Sequence, residues 1–169
     1  MRKHQYKILL VEDNPGDVLL VEESLRASDI QCEMTHCETV QAALQKLSGY
    51  AVEDPNVPDL LLLDYNLPGG DARQIIRAAV ENPALSGTRK AVITSSLSPR
   101  DREDALRSGA ECFIYKPADL DLFLNEVGNS LLKLLSQQRS GDDRDGSPFG
   151  TKLEKVQPVP SFERKGRDL

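Results

Sequence analysis

The chain has 169 residues, of which 39% are hydrophobic, contains no tryptophan and carries a formal charge of −6. That length supports one buried core and no more. Nucleic acid is not expected as a partner, since no basic run or aromatic-interleaved basic patch occurs. A membrane is not expected either, because no apolar stretch approaches spanning length.

The N-terminal Met1-Arg2-Lys3-His4-Gln5 leads straight into a strand rather than a signal peptide, so a cytoplasmic location is expected. Tyr6-Lys7-Ile8-Leu9-Leu10-Val11 reads as a buried strand ending in Glu12-Asp13. Asn14-Pro15-Gly16-Asp17 then turns and opens a helix with Val18, Val21 and Leu25 on its apolar side. Glu33-Met34-Thr35-His36 gives a second strand, and Val40, Ala43, Leu44 and Leu47 mark the helix after it. The stretch from Gly49 to Pro58 is a loop by its proline and glycine content.

Leu60-Leu61-Leu62-Leu63 is a wholly apolar run, long enough for one strand buried on both faces, and it stops abruptly at Asp64. A turn over Asn66-Leu67-Pro68-Gly69-Gly70 follows, then a helix marked by Ile75, Ile76, Ala79 and Val80. Ala91-Val92-Ile93 is a short strand ending in Thr94-Ser95-Ser96. Ser98-Pro99-Arg100-Asp101 reads as cap, first-turn proline and capping-box acid of a fourth helix, which Gly109 closes. Cys112-Phe113-Ile114-Tyr115 is the fifth strand and ends in Lys116-Pro117. Leu120, Phe123, Leu124, Val127, Leu131 and Leu134 form one stripe along a last helix. Five β-α alternations predict an α/β fold: a doubly wound parallel sheet in order 2-1-3-4-5 with right-handed crossovers.

In such a sheet, ligands and chemistry sit at the carboxyl ends of the strands. There the apolar runs end in Glu12-Asp13, Asp64, Thr94 and Lys116. Three carboxylates brought close repel one another and need a counter-charge. A hard divalent cation such as Mg²⁺, which prefers oxygen ligands, supplies one. A carboxylate can act as a nucleophile and carry a phosphoryl group. A hydroxyl and an ammonium beside it are what the group's oxygens require.

The three cysteines are an odd number scattered over two strand regions, and read as reduced thiols rather than a disulfide frame. Cys32, His36 and Cys37 raise the question of zinc. Strand alternation puts Cys37 on the face opposite Cys32 and His36, which argues against it.

These residues together resemble the receiver domain of two-component response regulators. The resemblance rests on the acidic pair Glu12-Asp13, the turn after Asp64, Thr94, and the run Gly109-Ala110-Glu111-Cys112-Phe113-Ile114-Tyr115-Lys116-Pro117. The spacings from Asp64 to Thr94 and from Thr94 to Lys116 fit the family. The interval from Asp13 to Asp64 is longer, and the first acid is Glu rather than Asp. The resemblance implies a flavodoxin-like fold over residues 1–135. It implies that Asp64 accepts a phosphoryl group from a sensor histidine kinase or phosphotransfer protein. Asp13, Asp64 and the backbone carbonyl of Asn66 would hold Mg²⁺, with Glu12 acting through water. Thr94 and Lys116 would engage the phosphoryl oxygens, and Phe113 would turn with the switch. The Lys116-Pro117 peptide resembles one that is cis in the family. The motifs around Asp13 and Asn66 also look similar to regulators paired with phytochrome-like sensor kinases.

Two other classes are weighed against this. An Asp-nucleophile phosphatase of the haloacid-dehalogenase type needs a second acid two residues after the first, where this chain has Asn66. A pseudo-receiver, a pure interaction module, would lack one of Asp64, Asp13 or Lys116; all are present, and it stands as the alternative. Residues 136–169 read as a tail rich in Ser, Gly, Pro and mixed charge, too short and too poor in apolar residues for an effector domain. Phe149, Leu153, Val156, Val159 and Phe162 nevertheless give it means to dock, on its own domain or on a second copy. Leu122, Leu132 and Leu135 lie partly off the last helix's stripe, so a homodimer through that helix and the tail is expected.

Overall fold

The computed structural model describes residues 5–137. Five strands, β1 (Tyr6–Val11), β2 (Cys32–Cys37), β3 (Leu60–Asp64), β4 (Arg89–Thr94) and β5 (Cys112–Tyr115), form one parallel sheet in order β2-β1-β3-β4-β5. Helices α1 (Pro15–Ala27), α2 (Val40–Ser48), α3 (Ala72–Glu81) and α4 (Pro99–Arg107) alternate with them. The doubly wound order expected from the alternation is the one observed.

Every residue of β3 is buried, because the strand is central and covered on both faces. Alternation divides its leucines between two cores. Leu61 and Leu63 pack with Val40, Ala43, Leu47, Ile75 and Ile76 of α2 and α3. Leu60 and Leu62 pack with Val21 and Leu25 of α1 and with Phe123, Val127 and Leu131 of the last helix. The helix starts carry side-chain caps: Asn14 on α1, Thr39 on α2, Asp71 on α3 and Ser98 on α4. At the end of α4, Gly109 takes φ +112°, and a Cβ there would meet Val80 Cγ2 at 2.7 Å, so the glycine is required.

Three details differ from the sequence pattern. β4 begins at Arg89, two residues before the apolar run, because Lys90 is buried and satisfied: its ammonium donates to the Thr88 carbonyl at 2.9 Å. The last helix, α5, runs as Leu120–Leu122, a π turn Phe123–Val127, and Gly128–Ser136. The wide turn keeps residues four apart in line, so Phe123, Val127 and Leu131 are buried while Leu120 is 56% exposed and leaves the stripe. Among the described residues no peptide is cis, so Lys116-Pro117 is trans, an isomer the X-Pro bond adopts readily.

The Gly49–Pro58 loop carries no helix or strand and folds back onto β1, where the Lys7 ammonium donates to the Pro55 carbonyl. The Lys7 amide donates to Asp59 at 2.7 Å. No described helix is long and apolar enough to cross a membrane.

Candidate functional site

Register brings the strand ends together like steps. Val11 pairs with Leu63, so Glu12 and Asp64, the next residues, emerge side by side. Asp64 pairs with Ile93, and Thr94 with Tyr115, which puts Thr94 and Lys116 one step further along the same edge. All four are buried.

The Lys116 ammonium is the centre of the arrangement. It donates to Glu12 Oε2 at 2.6 Å, Asp17 Oδ2 at 2.8 Å and Asp64 Oδ2 at 3.0 Å. Three N–H donors meet three carboxylates. Burial alone would pull the Lys116 ammonium down, but the Asp17 and Glu12 hydrogen bonds and the Asp64 charge more than offset it, and the net shift is upward. Glu12 moves the other way for an acid: burial pushes it above its ordinary value of 4.5. The Lys116 bond and the Asn14 amide, which donates to Glu12 Oε1 at 3.0 Å, offset this only in part. Both shifts hold together, because one lysine shared by three acids cannot fully compensate the most buried of them.

Asp64 Oδ1 accepts from the Asn66 amide at 3.0 Å, an Asx-type turn that fixes the carboxylate over the strand end. Thr94 Oγ1 accepts from the Ser96 amide at 3.1 Å and from Asn66 Nδ2 at 3.4 Å. Its own O–H proton is thus left to donate. Phe113 is half-buried on β5, and its ring meets Tyr65, the residue after Asp64, edge-on at 6.4 Å between centroids.

Of the acids expected to converge, Glu12 and Asp64 do so, and Asp17 joins them: one oxygen from each lies within 4.8 Å of the others. Asp13 is exposed and outside this trio; it lines an open groove with Tyr65, Asn66 and Pro68. Asp17 reads from sequence as a helix-opening acid and nothing more. Its position on the first turn of α1, four residues after Asp13, was the available signal. Cys32 and Cys37 pack on opposite sheet faces, and His36 Nε2 lies 2.7 Å from the Glu12 carbonyl oxygen, so the three do not gather as a metal site. Burial raises the Cys32, Cys37 and Cys112 thiols, which are free.

The family profile described as the response regulator receiver domain matches residues 8–128. The response regulator Rcp1 of Synechocystis sp. is 36% identical over 120 residues, covering 69% of this chain and 80% of Rcp1. The phosphorylated cyanobacterial phytochrome response regulator RcpA superposes with a TM-score of 0.71 at 29% identity, covering 80% of this chain and 97% of RcpA. The Mn²⁺-bound form of Rcp1 superposes with a TM-score of 0.67 at 30% identity, covering 79% of this chain and 96% of that one. With the sheet order and the profile in agreement over most of its length, this chain belongs to the response regulator receiver domain family.

Proposed function

We propose that the protein accepts a phosphoryl group on Asp64 from a sensor histidine kinase or phosphotransfer protein and passes the signal on by protein contact. The observation that carries this reading is the Lys116 ammonium, brought from the end of β5 to 3.0 Å from Asp64 Oδ2. An Asp64 oxygen forms the new O–P bond as the donor's P–N bond breaks and its electron pair returns to the imidazole. Lys116 then pairs with the phosphoryl oxygens, and the Thr94 hydroxyl donates to one of them. As Thr94 moves toward the phosphoryl group, Phe113 turns inward beside Tyr65 and biases the surface made by α4, β5 and α5. The protein is not an enzyme for another substrate; it promotes its own phosphoryl transfer and hydrolysis.

The donor set is all oxygen, which fits a hard divalent cation, and we read it as Mg²⁺. Asp13, Asp64 and the Asn66 carbonyl would hold it, with Glu12 acting through water. When bound, the cation offsets the charge of the phosphoryl oxygens. The known Mn²⁺-bound form of Rcp1 supports a divalent ion in this family.

We also read the receiver as residues 1–135 followed by a tail over 136–169, and the active form as a cytoplasmic homodimer through α5 with no nucleic-acid contact. Leu122 and Leu132 on α5 are 51% and 41% exposed, whereas Leu135 is half-buried against the core. Leu97, Leu106 and Tyr115 are also exposed. The tail residues expected to embrace the partner, Phe149 to Phe162, lie outside the described residues.

The test is intact mass after incubation with Mg²⁺ and acetyl phosphate. A gain of one phosphate in the wild type and none in Asp64→Asn is expected. Equal labelling of both would reject the reading, and no labelling of either would favour the phosphorylation-independent interaction module.

A further inference from the structure

The Lys116 ammonium has no spare N–H. Its three donors are taken by Glu12, Asp17 and Asp64. Phosphorylation frees the N–H that Asp64 Oδ2 holds, since that carboxylate loses its charge in the acyl phosphate. The dianionic phosphoryl group has three oxygens, however, and draws on a second N–H, which Glu12 or Asp17 then gives up. Glu12 is fully buried, and its other oxygen is held by the Asn14 amide. Turning it away would strip a fully buried carboxylate oxygen of its ion pair. Asp17 differs. Its side chain is 27% exposed on the first turn of α1, and it can exchange the lysine for water by a small rotation.

We propose that Asp17 is a positioning residue for phosphoryl transfer: it holds the Lys116 ammonium as a releasable counter-charge and yields it to the phosphoryl group on Asp64. The inference rests on Asp64 being the phosphoacceptor. Two consequences follow from the geometry. While Asp17 is engaged, it adds a negative charge beside Asp64 and occupies an N–H that an anionic donor would use, so Asp17 slows phosphorylation. Its release also frees the first turn of α1 from the end of β5, linking the chemistry to that helix.

The experiment uses the full chain as wild type, Asp17→Asn, Asp17→Ser and Asp17→Glu, each checked for folding by circular dichroism. The initial rate of phosphorylation by acetyl phosphate is measured at saturating Mg²⁺. In parallel, the ¹⁵N signal of the Lys116 ammonium is recorded in the metal-free protein. Asp17→Asn and Asp17→Ser should be faster by at least about threefold, the scale of a lost partly exposed ion pair, with Asp17→Glu close to wild type. The Lys116 signal should move in the Asn and Ser variants, which a plain helix-start role would not cause. Unchanged or slower rates, or an unmoved lysine signal, in variants whose wild type is labelled would overturn the inference. A wild type that takes no phosphate would instead overturn the phosphoacceptor reading beneath it, and this inference with it.

Discussion

At the scale of single residues, the site is a contest between burial and pairing, and its pH dependence should show this. Burial raises Glu12 above 4.5, and Lys116 works against that rise. Removing the ammonium as Lys116→Met leaves the upward push less opposed. The folded state then takes up a proton at a pH where the unfolded chain, titrating near 4.5, does not. In that window the folded form binds more protons, so stability increases as pH falls. Urea unfolding of the metal-free variant and wild type at about pH 7 and about pH 5.5 should show the variant's deficit narrowing on acidification. A deficit that stays constant would mean that Glu12 is not held charged by Lys116. Glu12, Asp64, Thr94 and Lys116 were legible because each directly ends an apolar run at the reactive edge. Asp17 was not, since an acid in a first helical turn has an ordinary use in favouring the helix dipole.

At the scale of elements, strands and caps could be read from pattern, while contacts between helices could not. Ser98-Pro99 and Gly109 bracket α4 as expected, because capping and left-handed glycine are local chemistry. The early start of β4 was hidden by Lys90, whose burial depends on carbonyls that only the fold brings near. The π turn in α5 was hidden likewise, since nothing local distinguishes it from regular helix. Gly128, just after it, lies against α1: a Cβ there would clash with Ser28 Oγ and meet the Ser24 carbonyl oxygen at 2.7 Å. Propensity alone favours alanine over glycine inside a helix by roughly 0.5–1 kcal/mol. Forcing α1 and α5 apart costs about 1–3 kcal/mol, so the steric effect wins. Gly128→Ala should therefore lower the denaturation midpoint; a rise would show that the two helices have room to part.

At the scale of the molecule, the sheet order sets β5 beside β4 at one edge of the sheet, with Lys116 and Thr94 at their ends. Phe113 touches Tyr65 beside Asp64, and exposed Leu97, Leu106, Tyr115 and Leu122 lie on β5 and the segments around it. Exposed apolar groups gathered in this way are the usual mark of an interface. Sedimentation of the full chain and of a version ending at Gln138 should show a dimer that weakens on truncation. Monomers in both cases, at tens of micromolar with a phosphoryl mimic bound, would end the homodimer.

Trapping the acyl phosphate locates the residue that carries the phosphoryl group. After incubation with Mg²⁺ and acetyl phosphate, borohydride reduction converts a phosphorylated aspartate into homoserine, which peptide mass spectrometry can locate. Homoserine is expected at position 64 and nowhere else. Homoserine at another aspartate, or none at all in a protein verified as folded, would reject Asp64 as the phosphoacceptor.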